Sequence, residues 1–294
     1  MPSAPDATMS DGGETADLWV IEPRQHSVLE RARELWQYRH LWWFFAADTM
    51  AAMYRRSKLG WLWLVMRVAG PVGIYAVIFG GVLEVDSGGP PYFLFFLCGF
   101  TTWMLFERTL LIVTLSLERN RKLVTKVYFP RLILPMSAVA PGLLYLAMLL
   151  LVMIGAVVYY HSRDGVWYIT LRPQLLVAAG AVAMSLVFTI AVGLWTSVLQ
   201  ARYRDVRYGL RYGMPFWFYF TPIIYPASQL PESLRWVVAV NPMAGVVEAF
   251  KWGTLGAGHL TAVSVTTSLT LIALTMVSGM WYFTREEAAS IDTL

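Results

Sequence analysis

Residues 173–199 carry no charged side chain, and residues 261–283 form a further run of 23 without one. An α-helix needs about 20 predominantly apolar residues to cross ~30 Å of hydrocarbon. A large soluble core does not explain apolar runs of this length, so the chain belongs to the bilayer class. Composition agrees: 57% of the 294 residues are hydrophobic and 14% are charged, against about 25% charged in globular chains. Four more apolar segments precede the last one. Residues 60–83 are broken only by Arg67, and 91–117 carry Glu107 and Arg108. Residues 132–160 are uncharged and bent by Pro135 or Pro141, while 212–228 are short, aromatic and interrupted by Pro215 and Pro222. The expectation is an all-α integral membrane protein with six transmembrane helices, the fifth the shortest.

Charge bias sets the orientation. Tyr54-Arg55-Arg56-Ser57-Lys58-Leu59-Gly60-Trp61-Leu62-Trp63 runs a basic cluster straight into the first span, with Trp61 and Trp63 as rings for the headgroup level. Lys and Arg number seven up to Lys58, five over 118–131, four over 200–211 and one in the tail. The opposite connections hold four: Arg163, Arg172, Arg235 and Lys251. Seventeen against four places both termini in the cytoplasm.

Residues 1–26 lack the basic and apolar regions of a signal peptide and read as a disordered cytoplasmic tail. Over 27–53, Leu29, Ala32, Arg33, Trp36, His40, Trp43 and Phe44 recur at spacings of three and four. That pattern suits an N-terminal amphipathic helix in the inner interface, or an ordinary soluble helix. Residues 54–294 then form the transmembrane domain. Between the fifth and sixth spans, Pro231 can start one short helix, and Asn241-Pro242 can cap and start another. Two re-entrant half-helices follow as the expectation, with Pro231, Trp236, Asn241 and Pro242 as gate residues. Irregular backbone at that depth is tolerated only where protein or water satisfies it.

Catalysis finds no support. There is no Ser/His/Asp constellation, no spaced carboxylate pair and no metal-ligand cluster, and the four histidines are scattered. Cys98, the one cysteine, reads as a small buried apolar residue. A net charge of +4 with its basic residues in blocks suits a membrane face rather than a nucleic-acid groove. No G-x-x-x-x-G-K-[ST] loop occurs, so the chain has no such cradle for nucleotide phosphates. Arg67 and Glu107 lie at matching depths, ~10–16 Å from the cytoplasmic side. They could pair with each other or meet substrate. Arg108 points about 100° away from Glu107 and needs another partner, such as a lipid phosphate.

Three blocks resemble a known family. They are the 54–63 stretch; Asn120-Arg121-Lys122-Leu123-Val124-Thr125-Lys126-Val127-Tyr128-Phe129-Pro130-Arg131 followed by Leu134-Pro135; and Arg202-Tyr203-Arg204-Asp205 through Phe220-Thr221-Pro222-Ile223-Ile224-Tyr225-Pro226 to Asn241-Pro242-Met243. In order and spacing the chain resembles the membrane subunit of ABC-2 type exporters, in particular those moving O-antigen, capsule or teichoic-acid polymers. It departs at Arg67-Val68, where the family often has a polar residue followed by proline.

The resemblance implies a homodimer working with two copies of a separate ABC ATPase, which would bind the ATP and Mg²⁺, while this chain binds no cofactor. It also implies a lipid-linked glycan as substrate, with membrane lipids around the chain. Glu118, Arg119, Asn120, Arg121, Lys122, Lys126, Tyr128 and Phe129 are candidate ATPase contacts, with Arg204 and Asp205 as a second set. The basic residues among them also serve as topological charges. Aromatic faces can slide along the apolar C–H faces of sugars, so Trp217, Tyr219, Phe220 and Tyr225 are candidate lining residues. Trp61, Trp63, Arg67, Trp103, Glu107 and Arg108 complete the candidate pathway. The rival readings are an ABC-2 exporter of a small hydrophobic drug or lipid, and an integral-membrane glycan-modifying enzyme. Replacing Lys122 and Lys126 by Glu is expected to uncouple export from ATP hydrolysis while the subunit still inserts; unchanged export at normal protein levels would remove them from that role.

Overall fold

Helix α3 (Tyr92–Thr114) carries Glu107 and Arg108 and is the most enclosed of the long helices, with 83% of an 18-residue stretch inside the protein. The three other long helices bury only 17–33%. The rest of the chain packs around α3, and the other three keep apolar surface facing outward, as a membrane span can. The computed structural model describes residues 33, 35–54, 60–124, 126, 129–170 and 172–286. The described residues form helices and connections, with no strand among them.

In chain order, α1 (Arg39–Tyr54) is followed by α2 (Gly60–Tyr75), which continues as a π-helix over Ala76–Val82. After α3 come two short cytoplasmic-side helices in the expected topology, α4 (Ser116–Arg119) and α5 (Arg121–Val124). Next are α6 (Ile133–Ser137), α7 (Ala140–Asp164), α8 (Leu175–Arg202) and α9 (Val206–Phe220). Two 3₁₀ turns, Ala227–Gln229 and Glu232–Leu234, lead to α10 (Arg235–Ala239), α11 (Pro242–Leu255) and α12 (Ala262–Glu286). Helices α7, α8 and α11 pack directly on α3, α12 closes against α8 and α11, and α2 and α9 flank one side.

Among the described residues, four helices are long and apolar enough to cross a membrane: Tyr92–Thr114, Ile133–Asp164, Leu175–Arg202 and Ala262–Glu286. Ala69–Val82 is apolar but shorter. Helix α9 has 15 residues, about 22 Å at ~1.5 Å rise each. It begins at Val206 rather than Tyr212, so Arg207 and Arg211 stand on the helix and not in a connection. The bend in the third apolar segment falls at Ala138 and Val139, immediately before Pro141, whose ring nitrogen cannot donate to the preceding turn.

Residues 1–32 lie outside the described residues, so the tail and the start of the interfacial helix do too. The described part of that helix, α1, buries Phe45 and Ala46 against α6 and leaves Trp43 and Phe44 exposed.

Close helix contacts use glycine where side chains would not fit. A Cβ on Gly253 of α11 would sit 2.5 Å from the backbone nitrogen of Ala178 in α8. One on Gly279 of α12 would sit 2.6 Å from the carbonyl of Ala191 in α8. Small residues that let backbones approach are how helices associate in lipid, where hydrophobic exclusion is weak. Gly253→Ala and Gly279→Ala should each destabilise the detergent-purified protein by about 1–3 kcal/mol. Gly180→Ala, whose Cβ meets nothing within 4 Å, should be neutral. Thermal unfolding of the three variants checks this, and equal midpoints for all three would refute the close-packing account.

Candidate functional site

In the helix break after Phe220, every carbonyl from Phe220 to Ile224 has a hydrogen-bond donor. The Phe220 carbonyl accepts from Asn241 Nδ2 at 3.3 Å, and the Thr221 carbonyl from the Ile223 N–H at 2.7 Å. The carbonyls of Pro222 and Ile223 accept from Lys251 Nζ at 2.6 and 3.3 Å. The carbonyl of Ile224 accepts from the Tyr92 hydroxyl at 2.7 Å. Pro222 enforces the break, and α3 and α11 supply the donors that continuing α9 would have provided.

Asn241 uses its full amide capacity in doing so. Besides the Phe220 carbonyl, its Nδ2 donates to Thr221 Oγ1 at 2.9 Å. Its Oδ1 accepts from the Met243 N–H and from Trp217 Nε1, each at 3.0 Å. The expected cap-and-proline start of α11 is present, since the Met243 contact is an N-cap bond and Pro242 follows the cap. Pro231 precedes the 3₁₀ turn leading into α10, and Trp236 on α10 is exposed.

Lys251 is the residue that sequence reasoning misplaces. The charge count assigns it to an outer connection, but it lies on α11 with no exposed surface at all. Its ammonium gives two N–H bonds to the Pro222 and Ile223 carbonyls and stands 3.6 Å from the centroid of the Phe95 ring. Gly99 of α3 leaves room for the side chain, since a Cβ there would lie 3.0 Å from Lys251 Cε. Glu248, one turn earlier and 2% exposed, supplies the compensating charge at 4.0 Å. Its other carboxylate oxygen accepts from the His259 N–H at 2.6 Å, beyond the left-handed Gly256 that ends α11. One buried pair therefore fixes two chain reversals. The i,i+3 spacing of Glu248 and Lys251 is the signal that the sequence offers for it.

The predicted pathway residues separate into two groups. Trp103 is 1% exposed and packs edge-on against Phe106, Trp217 and Phe218, so its ring belongs to the protein core. Its Nε1 donates to half-buried Glu107 at 2.9 Å. Trp217 is half-buried, between Phe106 and Phe188. Arg108 is half-buried, with its Nε enclosed and unpartnered. The side chains of Trp61, Trp63 and Arg67 lie outside the described residues, and the Arg67–Glu107 pairing with them.

Tyr219 and Phe220 are exposed instead, and they continue a row. Tyr208, Tyr212 and Phe216 precede them on the same face of α9, at 46%, 70% and 70% exposure. The recurrence every fourth residue is legible in the sequence once α9 is known to begin at Val206. Met214 and Phe218 form the opposite, buried face. The Tyr219 hydroxyl lies 3.2 Å from that of Tyr75 on α2, and Tyr225 folds back to donate to the Tyr219 carbonyl at 3.0 Å.

On the cytoplasmic side of the expected topology, Arg119, Arg121, Lys122 and Lys126 are exposed, as are Arg204 and Asp205. Arg121 and Lys122 also interact within the chain. Asn120 donates to the Ser116 carbonyl at 2.9 Å, continuing the helical path between α4 and α5. Glu118 accepts from Gln200 Nε2 at 2.8 Å. Phe129 is 6% exposed, and its ring packs on Phe45 at 5.5 Å, so it joins the connection to α1 and presents no anchor outward. Tyr128 lies outside the described residues.

Comparison with known proteins gives a consistent result. Residues 40–255 match the family model for ABC-2 type transporters. The O-antigen export system permease protein RfbA of Klebsiella pneumoniae is 30% identical over 237 residues, covering 78% of this chain and 87% of that protein. The protein of the same name from Myxococcus xanthus is 28% identical over 228 residues, covering 76% of this chain and 84% of that protein.

The buried pair makes a sharp prediction. Lys251→Met should cost about 3–5 kcal/mol, because it strands Glu248 and two carbonyls in the core. Adding Glu248→Gln should recover part of that loss. Folded yield and thermal unfolding in detergent report both, and a Lys251→Met protein as stable as the parent would show the ammonium to be dispensable.

Proposed function

The chain belongs to the ABC-2 type transporter family, and from that premise we propose that it is the permease subunit of an exporter for a lipid-linked polysaccharide of the O-antigen, capsule or teichoic-acid type. It is a multi-pass protein of the inner membrane and a transport permease in kind. In this reading it makes six crossings with both termini in the cytoplasm. The segments around α10 and α11 re-enter from the outer face, and two copies enclose the pathway. Two copies of a separate ATPase subunit bind ATP and Mg²⁺ and supply the energy, and exposed Arg119, Lys126, Arg204 and Asp205 offer them charge. Its similarity to O-antigen export system permease proteins supports the substrate class.

One observation carries the reading: the exposed aromatic row Tyr208, Tyr212, Phe216, Tyr219 and Phe220 along α9. A polymer pathway needs a surface that attracts successive sugar units without arresting any of them. Sugar rings present C–H faces that lie on aromatic rings, and rings repeated every turn offer equivalent positions along the direction of travel. Such contacts involve no charge and tolerate many sugars. Satisfied backbone at the end of α9 keeps unpaired carbonyls from competing as sticking points.

Replacing Tyr212, Phe216 and Phe220 together by Ala should reduce export about tenfold, equivalent to ~1.4 kcal/mol of barrier. Assembly with the ATPase should persist, and lipid-linked glycan should accumulate on the cytoplasmic side. Surface glycan and the intracellular glycan pool are the measurements. Wild-type levels of surface glycan in the triple variant would overturn the assignment of the row. An unaltered glycan pool on deletion of the whole gene, with altered sensitivity to hydrophobic compounds, would favour a small-molecule exporter instead.

A further inference from the structure

Gln200, in the last turn of α8, is 1% exposed and uses both ends of its amide. Its Nε2 donates to Glu118 Oε2 on α4 at 2.8 Å, and its Oε1 accepts from the Arg207 N–H at 2.8 Å. Only one orientation of the amide serves a carboxylate on one side and an N–H on the other, so the network itself fixes it. The Arg207 N–H is one of the donors left open at the start of α9. Asp205 occupies the N-cap position there but makes no side-chain capping bond. A glutamine from another helix does the capping.

The connection follows directly. Helix α4 opens the segment read above as an ATPase contact, and α9 carries the aromatic row. Between them stand one carboxylate, one buried amide and one backbone N–H. We infer that Gln200 is a positioning residue for coupled transport: displacement of α4 by the ATPase reaches the first turn of α9 through the Glu118–Gln200–Arg207 bonds. Leu117 beside Glu118 packs with Leu194 and Val198 of α8, so the segment already rests on the helix that bears the glutamine. The inference rests on the reading of the segment that starts at Glu118 as the ATPase contact.

The test uses the full complex with its cognate ATPase. Every exchange sample carries Arg204→Ala and Asp205→Ala, so that the second candidate contact does not reach α9 directly; Asp205 makes no side-chain cap bond to lose. Hydrogen–deuterium exchange of residues 116–124 and 206–210 is followed with and without ATP and Mg²⁺, alongside hydrolysis. In the parent both segments should respond to nucleotide. In Gln200→Leu the response at 206–210 should fall about tenfold, within the range that side-chain links contribute to coupling. The response at 116–124 and the hydrolysis rate should remain. Combining Gln200→Glu with Glu118→Gln reverses the donor and acceptor of the first bond and keeps an acceptor for the Arg207 N–H, so it should restore the response at 206–210. Gln200→Glu alone sets two carboxylates together and should not.

A response at 206–210 that persists in Gln200→Leu, or is missing in the parent, overturns the inference. So does loss of assembly and hydrolysis in step with it, or failure of the reversed pair to restore it. Because exchange needs no glycan, failure of the substrate assignment shows separately, as a parent complex that delivers no polymer.

Discussion

Carbonyl groups that leave a helix inside a membrane protein must find donors without help from bulk water, and the region after Phe220 depends on meeting that demand. An unmet group costs several kcal/mol in an apolar medium. Between Phe220 and Ile224 each carbonyl has a partner, drawn from Asn241, Ile223, Lys251 and Tyr92. The sources lie on α3, on α11 and within the break itself. The break can therefore exist only after those helices have docked, and its shape is inherited from their packing. Lys251 tolerates full burial because carbonyl oxygens, an aromatic face and Glu248 replace its hydration.

Helix α3 gives this arrangement its rigidity. Surrounded on every side, it contributes Tyr92 to the break, Phe95 to the ammonium, and Trp103 and Phe106 to the core beneath α9. Glycines on α11 and α12 bring their backbones against α8, so few parts of this bundle can shift independently. Helix α9 is different, with one face packed and the other bare.

Bilayer class and the long segments were readable because an uncharged run of that length has few other destinations. The start of α11 was readable because Asn-Pro has a local mechanism that needs no tertiary partner; the further bonds of Asn241 to Trp217, Phe220 and Thr221 come only with the fold. Lys251 was not, because a lysine between apolar segments looks like a loop charge until Pro222, Ile223 and Phe95 are brought to it. Trp103 was misread for a related reason: composition reveals an aromatic residue, but only enclosure of α3 tells lining from core. Gln200 offered no signal, since a polar residue near a helix end is commonplace until Glu118 and Arg207 arrive on either side.

The short length of α9 has a consequence for what can lie beside it. At about 22 Å against ~30 Å of hydrocarbon, it falls some 8 Å short. Annular lipid would have to thin to match it, at fractions of a kcal/mol for each ångström of hydrophobic mismatch. A water-filled passage imposes no thickness to match. A crossing as short as α9 would therefore cost less as the wall of a conduit than as a span facing lipid.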